Sequence, residues 1–447
     1  MKILIVELLR LLNGILENMT DNISFFQKHL STAKENINLL INYLLLLYAF
    51  AMPLNIAKAQ DITYILVALW IVSFDYKVLL TFIKENRLFQ TILLLSFLIS
   101  ISFLWSDLDK KIITNTHLYY ANAYDYIFRY SVFFLLPIII IITKLKKEFI
   151  PLFINSFLLG MFVNEVMAYG IFFEFWTTHK GVSSNPIVFH KNHITYSAFV
   201  GFTVLLLLYK INHIKSIYFK IIYSFFIITM TINLFMSQGR TGQFSFFITG
   251  TLLILIYFRK NIKALLLSFF ILTTVFLLAF YNMSTFNSRV NQAIKSVENV
   301  IQGKNLGSSF GTRIMAFDTI PYLINKENFL FGVGMGDKPH HISTTLKNEY
   351  SNRIMNFDTH GFLHNSHLEM LVSNGLIGIF LYLFIFYLLF KMPIKDPFMK
   401  YMAYSLSIYY LCVGMTTDIF FFKAIMSLFA MFLAVIILQH QLEEKTD

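Results

Sequence analysis

The sequence predicts an all-α polytopic membrane protein, and three observations carry that prediction. Hydrophobic residues make up 57% of the 447-residue chain and charged residues only 14%, with a mean hydropathy of +0.63. A soluble globule could not solvate such a surface. The apolar residues fall into runs of about 15 to 25, the length a helix needs to cross roughly 30 Å of hydrocarbon. The runs lack the roughly ten-residue alternating segments of an outer-membrane barrel, so the expected architecture is a helical bundle.

About twelve spans are expected, at 39–57, 61–75, 88–105, 127–143, 149–175, 194–210, 217–236, 243–258, 262–281, 369–390, 399–417 and 419–438, the second and eighth being short. Residues 39–281 form a bundle of about nine helices, 282–368 a large extramembrane segment, 369–438 the C-terminal helices and 439–447 a tail. Residues 1–38 form an N-terminal segment whose ILIVELLRLLNGILENM stretch has helical apolar spacing interrupted by Glu7, Arg10, Asn13 and Glu17. It fits a helix lying along the membrane surface. No small-residue cleavage site follows a clean apolar core, as a signal peptide would require, and an upstream start codon is a third reading.

Charge sets the orientation. Every second connection is basic: Lys77, Lys84 and Arg87; Lys144, Lys146 and Lys147; Lys210, Lys215 and Lys220; Arg259, Lys260 and Lys263; Lys391, Lys395 and Lys400. The positive-inside rule makes these connections and both termini cytoplasmic, which sends the other loops outward. The net charge of +11 is dispersed among these connections and forms no stripe for nucleic acid. The single cysteine, Cys412, lies in an apolar run, so the chain has no disulfide framework and no thiolate metal site, and Cys412 reads as a packing residue.

Three outward elements carry polar chemistry. The loop 176–193 ends in His190, Lys191 and His193, which fit either a contact to an anionic headgroup or an interfacial anchor. In the tight turn SQGRTGQ, residues 237–243, Gln238 and Arg240 sit beside two glycines at a helix start. Free backbone N–H groups and the helix dipole favour a phosphate there, although a turn with a snorkelling arginine has the same composition. The third element is 282–368, where SRVNQAIKSVENVIQ and GTRIMAFDTIPYLINKENF have amphipathic spacing, FGVGMGD marks a turn, and a polar run leads to His364. This segment is expected to lie over the bundle as a lid.

The stretch HNSHLEMLVSNGLIG, His364 to Gly378, closes the lid and opens the next span. The imidazole of His364 suits proton transfer, because it can take or give a proton, while a His-Asn pair at a helix start also fits a cap. Gly375 and Gly378 let another backbone or a lipid-sized ligand approach. Glu369 fits either an orienting partner for the imidazole or an acid at a helix start. His340, His341, His360, His364 and His367 crowd the same region. They lack the HExxH acid, and Gly361 opposes a helix through His360 and His364, so no metal is expected.

The ordered set of SQGR at a span end, GTR before an amphipathic segment with FGVGMGD, and HN nine residues before GLIG resembles the O-antigen ligase and polymerase superfamily over residues 230–390. The resemblance implies a metal-independent, inner-membrane glycosyltransferase of the type-C kind, without nucleotide sugar or other cofactor, with its active site in a periplasmic loop. It implies an undecaprenyl diphosphate-linked glycan as donor and, for a lipopolysaccharide O-antigen ligase, the lipid A-core as acceptor. His364 matches the family's essential histidine; Arg240 and Arg313 match its diphosphate-binding arginines. Phe244 departs from the aliphatic residue that relatives often carry four positions after the first arginine. The HN-x9-GxxG arrangement favours ligase over polymerase.

The chemistry agrees with that assignment. A lipid diphosphate is an activated leaving group, so transfer needs a base for the attacking hydroxyl and cations for the departing phosphate. His364 suits the first role, Arg240 and Arg313 the second, with Asn365, Glu369, Gln238, His190, Lys191 and His193 as expected substrate contacts. A transporter or flippase for the same lipid-linked glycans is the rival. Such proteins show repeated halves and midplane ionisable residues, whereas here no internal repeat is evident and Glu165 and Glu174 are the chief acids in or near a span.

Overall fold

The apolar runs become helices because a membrane leaves backbone N–H and C=O groups no partner except one another. The structure is a computed structural model describing residues 32–106, 111–113, 118–120, 123–178, 181–188, 192–302, 311–350 and 362–445. Helix α1 covers 32–51. It is followed by α2 (Ile56–Val72), α3 (Tyr76–Glu85), α4 (Arg87–Ile101), α5 (Ala123–Tyr130), α6 (Leu136–Lys144), α7 (Ile150–Phe172), α8 (His193–Lys210), α9 (Ile217–Met236), α10 (Arg240–Phe258) and α11 (Ile262–Asn282). The lid contributes α12 (Ser284–Ile301), α13 (Gly311–Leu323) and α14 (Lys338–Tyr350); α15 (Ser366–Lys391), α16 (Pro397–Gly414) and α17 (Lys423–Glu444) complete the chain.

Eleven of the twelve expected runs each fall on one of these helices, and 127–143 runs through the end of α5, the π-helical turn Ser131–Leu135 and α6. Among the described residues, nine helices are long and apolar enough to span a membrane, or ten when α2 and α3, bent by 104°, count together. The starts are set by short polar residues that accept a free backbone N–H, as Asn55, Asp75, Asn86, Asn192 and Asn261 do. Among the described residues there is one strand pair, β1 (Lys111–Ile113) and β2 (Leu118–Tyr120), which is antiparallel. The expected surface helix falls mostly in residues 1–31, outside the described residues.

Burial sorts the helices. The apolar window of α17 is 89% buried and forms the centre of the bundle, packed against α6 and α8, whereas that of α11 is 6% buried and turns Leu266, Phe270 and Leu278 outward as a lipid-facing wall. Two of the basic connections are tied to other elements: Lys144 Nζ donates to Asn38 Oδ1, and Glu443 accepts from the Lys395 and Asp396 N–H groups. In the lid, Met335 N donates to Ser102 Oγ, just past the end of α4, over 3.3 Å. Among the residues of the polar run before His364, 338–350 form α14, a helix not evident from the apolar pattern.

The Asn374-Gly375 pair interrupts α15. Gly375 takes φ 63° and ψ −160°, a left-handed conformation open to glycine, and the carbonyls and amides freed at this break are taken up by the lid turn. Val333 N donates to Val372 O over 2.9 Å, Gly334 N to Ser373 O over 2.8 Å, Leu376 N to Phe329 O over 2.9 Å and Ile377 N to Leu330 O over 3.2 Å. The FGVGMGD turn is thus clasped into the break, and the backbone close to Gly375 is Leu330.

Candidate functional site

The sequence SQGRTG docks α10 on α8. A Cβ on Gly239 would lie 2.2 Å from Ser197 Oγ, and one on Gly242 would lie 2.0 Å from Ser197 O, so these glycines let the two helix starts lie side by side. Gly242 N donates to Ser197 Oγ over 3.1 Å, and Gln243 Nε2 donates to Leu234 O and Ser237 O, tying the start of α10 to the end of α9. Arg240, between the two glycines, turns toward the lid.

The polar face of α12 comes down over these helix starts. Arg289, Gln292, Lys295, Ser296 and Asn299 meet His193, Ile194, Gln238, Arg240, Thr241 and Arg313 around a cavity of about 430 Å³. Among the described residues, the lining contains no Asp or Glu. Arg240 Nη2 donates to Gln292 Oε1 over 2.9 Å and Arg289 Nη1 to the same oxygen over 3.3 Å, while Arg289 Nη2 donates to Gln238 Oε1. Neutral amides therefore orient these guanidinium groups without cancelling their charge. Arg240 Nε is buried with no hydrogen-bond partner among the described residues. The first residues of α8 and α10 also face the cavity, adding two positive helix ends.

Arg313 enters from the first turn of α13. Burial, and then the nearby Arg240 charge, hold its guanidinium below the ordinary arginine value; arginine nevertheless stays charged at neutral pH. Its Nη2 donates to Thr416 O over 3.0 Å. The next carbonyl, Thr417 O, accepts from Ser366 N over 3.2 Å and from Ser366 Oγ over 2.9 Å, so the 415–419 turn joins Arg313 to the head of α15.

His364 sits at that head, exposed, with φ 52°. Asn365 is the N-cap of α15: its Oδ1 accepts from His367 N and Leu368 N. Glu369 is 2% exposed, and its Oε2 lies 2.6 Å from Lys338 Nζ. Both expected substrate contacts are therefore engaged inside the protein, and the carboxylate of Glu369 meets a lysine and a backbone amide where an imidazole was considered. His367 Nε2 lies 3.1 Å from Leu411 O and His341 Nε2 3.0 Å from Leu323 O, in separate places. Among the described residues no three His, Cys, Asp or Glu side chains form a group that could hold a metal ion. His190, Lys191 and His360 lie outside the described residues.

The structure brings His193, Gln238, Arg240 and Arg313 to one cavity and places His364 outside its lining, connected through the 415–419 turn. Sequence reasoning missed Arg289, Gln292, Lys295 and Asn299. The signal was present: polar residues recur at three and four along 289–299, opposite the apolar Val290, Ile294 and Val297.

No curated protein matches the chain. Residues 225–383, which hold Gln238, Arg240, the polar face of α12, Arg313 and His364, match the O-antigen ligase family model, so this part of the chain is similar to the O-antigen ligase and polymerase superfamily.

Proposed function

We propose that this protein is an O-antigen ligase, transferring O-antigen polysaccharide from undecaprenyl diphosphate to the lipid A-core on the periplasmic side of the inner membrane. The observation that carries the reading is the clustering of Arg240, Arg289, Lys295 and Arg313 around one cavity, with no Asp or Glu among its described lining residues. Four cations gathered at a half-buried site repel one another, and an anion with two phosphates is the ligand that offsets this cost. Arginine fits because it keeps its charge beside lipid and meets phosphate oxygens with a planar fork.

In the proposed reaction an acceptor-sugar hydroxyl attacks the anomeric carbon of the donor. His364 takes the hydroxyl proton, the bond from the anomeric carbon to the diphosphate oxygen breaks, and the charge left on undecaprenyl diphosphate is held by the arginines. The step consumes no nucleotide and requires no metal. His193 and Gln238 contact the diphosphate or the first sugar, and His190 and Lys191 the headgroup region.

The test is a lipopolysaccharide gel from a deletion strain, with lipid-linked glycan extracted in parallel. A ligase predicts loss of capped lipopolysaccharide with long polymer retained on the lipid carrier. Single repeat units alone would instead identify a polymerase. Unchanged glycan in both fractions, or accumulation on the cytoplasmic leaflet as for a flippase, would overturn the enzymatic reading.

A further inference from the structure

His364 stands in a backbone conformation that a non-glycine residue avoids, at a cost of about 1–3 kcal/mol, and such a residue persists only where its neighbours are fixed. On its N-terminal side, Leu363 is buried among Met315, Ile342, Leu346 and Val372, in the small core that joins the lid to α15. Leu363 N also donates to Glu369 Oε1 over 2.5 Å. On the C-terminal side, the Asn365 cap and the Ser366 bonds to Thr417 O hold the chain.

Glu369 is itself held. Lys338, 1% exposed at the start of α14, reaches Glu369 Oε2 at 2.6 Å and Asp418 Oδ2 at 3.2 Å. Asp418 Oδ1 accepts from Phe420 N over 3.0 Å, in the turn that also supplies Thr416 O to Arg313. One buried ammonium thus joins the lid, α15 and the turn between α16 and α17. Burying three charges carries a large desolvation cost, and replacing such groups with apolar ones often stabilises a protein, so stability alone does not account for the arrangement.

We propose that Glu369, anchored by Lys338, is a positioning residue for His364: its hydrogen bond to Leu363 N–H fixes the backbone that presents the imidazole. This rests on the reading of His364 as the base. Lys338 orients the carboxylate through Oε2, Oε1 holds the Leu363 N–H, and donor binding is left to the arginine cavity.

Two matched double variants isolate the hydrogen bond. Lys338→Met with Glu369→Gln keeps an acceptor for Leu363 N–H and removes both charges; Lys338→Met with Glu369→Leu removes the acceptor as well. Transfer from lipid-linked donor to lipid A-core is measured for each. The Gln pair is expected to keep kcat within about fivefold of the parent, and the Leu pair to lose about 10- to 100-fold, the scale of a displaced catalytic group, with the donor KM unchanged within about threefold. Built into His364→Ala, the two pairs are expected to leave the same residual rate, because the base they position is gone.

Equal kcat in the two pairs, a loss that appears in donor KM, or an equal further drop in the His364→Ala background would overturn the proposal while leaving the base assignment standing. Near-normal turnover in His364→Ala would end the base assignment and this inference together. Should a double variant fail to accumulate, Glu369→Gln against Glu369→Leu with Lys338 intact is read in the same way.

Discussion

Replacing Gly375 by alanine attacks the clasp between the lid and α15. At φ 63° and ψ −160° the backbone is in a region reserved for glycine, and holding alanine there costs about 1–3 kcal/mol. The new Cβ would stand 2.3 Å from Leu330 C, 2.4 Å from Leu330 O and 2.5 Å from Phe331 N, all backbone atoms. Relief requires the lid turn to withdraw, which weakens the hydrogen bonds to Phe329 O and Leu330 O, each worth about 0.5–1.5 kcal/mol. The sum is a loss of roughly 2–6 kcal/mol, or a fall in Tm of about 4–12 °C at roughly 2 °C per kcal/mol. Thermal unfolding in detergent, with limited proteolysis of the lid, reads both effects. Gly250→Ala is the control: its Cβ would meet only Leu272 methyl groups at 3.8 and 3.9 Å, and a helix interior gains about 0.5–1 kcal/mol from the change. Gly375→Ala with a normal Tm and a protease-resistant lid would refute the argument.

Further outcomes follow from the site. His364→Ala is expected to accumulate normally and to lose about 10²–10⁴-fold in transfer rate, measured with purified protein; full activity would remove histidine from the mechanism. Arg240→Ala, Arg289→Ala and Arg313→Ala are each expected to lose about 10²–10³-fold, with lysine restoring only part, because it keeps the charge and not the fork; normal turnover in all three would empty the cavity of its assigned role. Transfer should proceed in EDTA without ATP, and restoration of a chelated, inactive enzyme by zinc or magnesium would require the histidines to be reread. An impermeant thiol reagent should label Ser183→Cys and Asn348→Cys in intact spheroplasts but Asn261→Cys and Asp396→Cys only after permeabilisation, and the reverse pattern would put the cavity in the cytoplasm.

Much of this was legible in the linear chain because the constraints involved are local. Helix-length apolar runs and alternating basic connections mark the spans, since a bilayer imposes length and charge asymmetry one segment at a time. Gly239, Gly242 and Gly375 could be picked out as close-contact positions for the same reason: tight helix contact and turns demand particular residues at particular positions. The joining of those segments is long-range. The polar spacing along α12 marks a face, but an ordinary solvated face has the same spacing, and only its closure over Arg240 and Arg313 makes Arg289 and Lys295 part of a site. Glu369 looks like a helix-start acid until Lys338 arrives from a lid helix that carries no apolar pattern. Gly375 reads as a packing residue until the lid turn enters the break it makes in α15. The length of the apolar runs by itself determined which segments are long and apolar enough to cross a membrane. Tertiary structure decided which charges meet, because like-charged and buried ionic groups are brought together only at the expense of the packing around them.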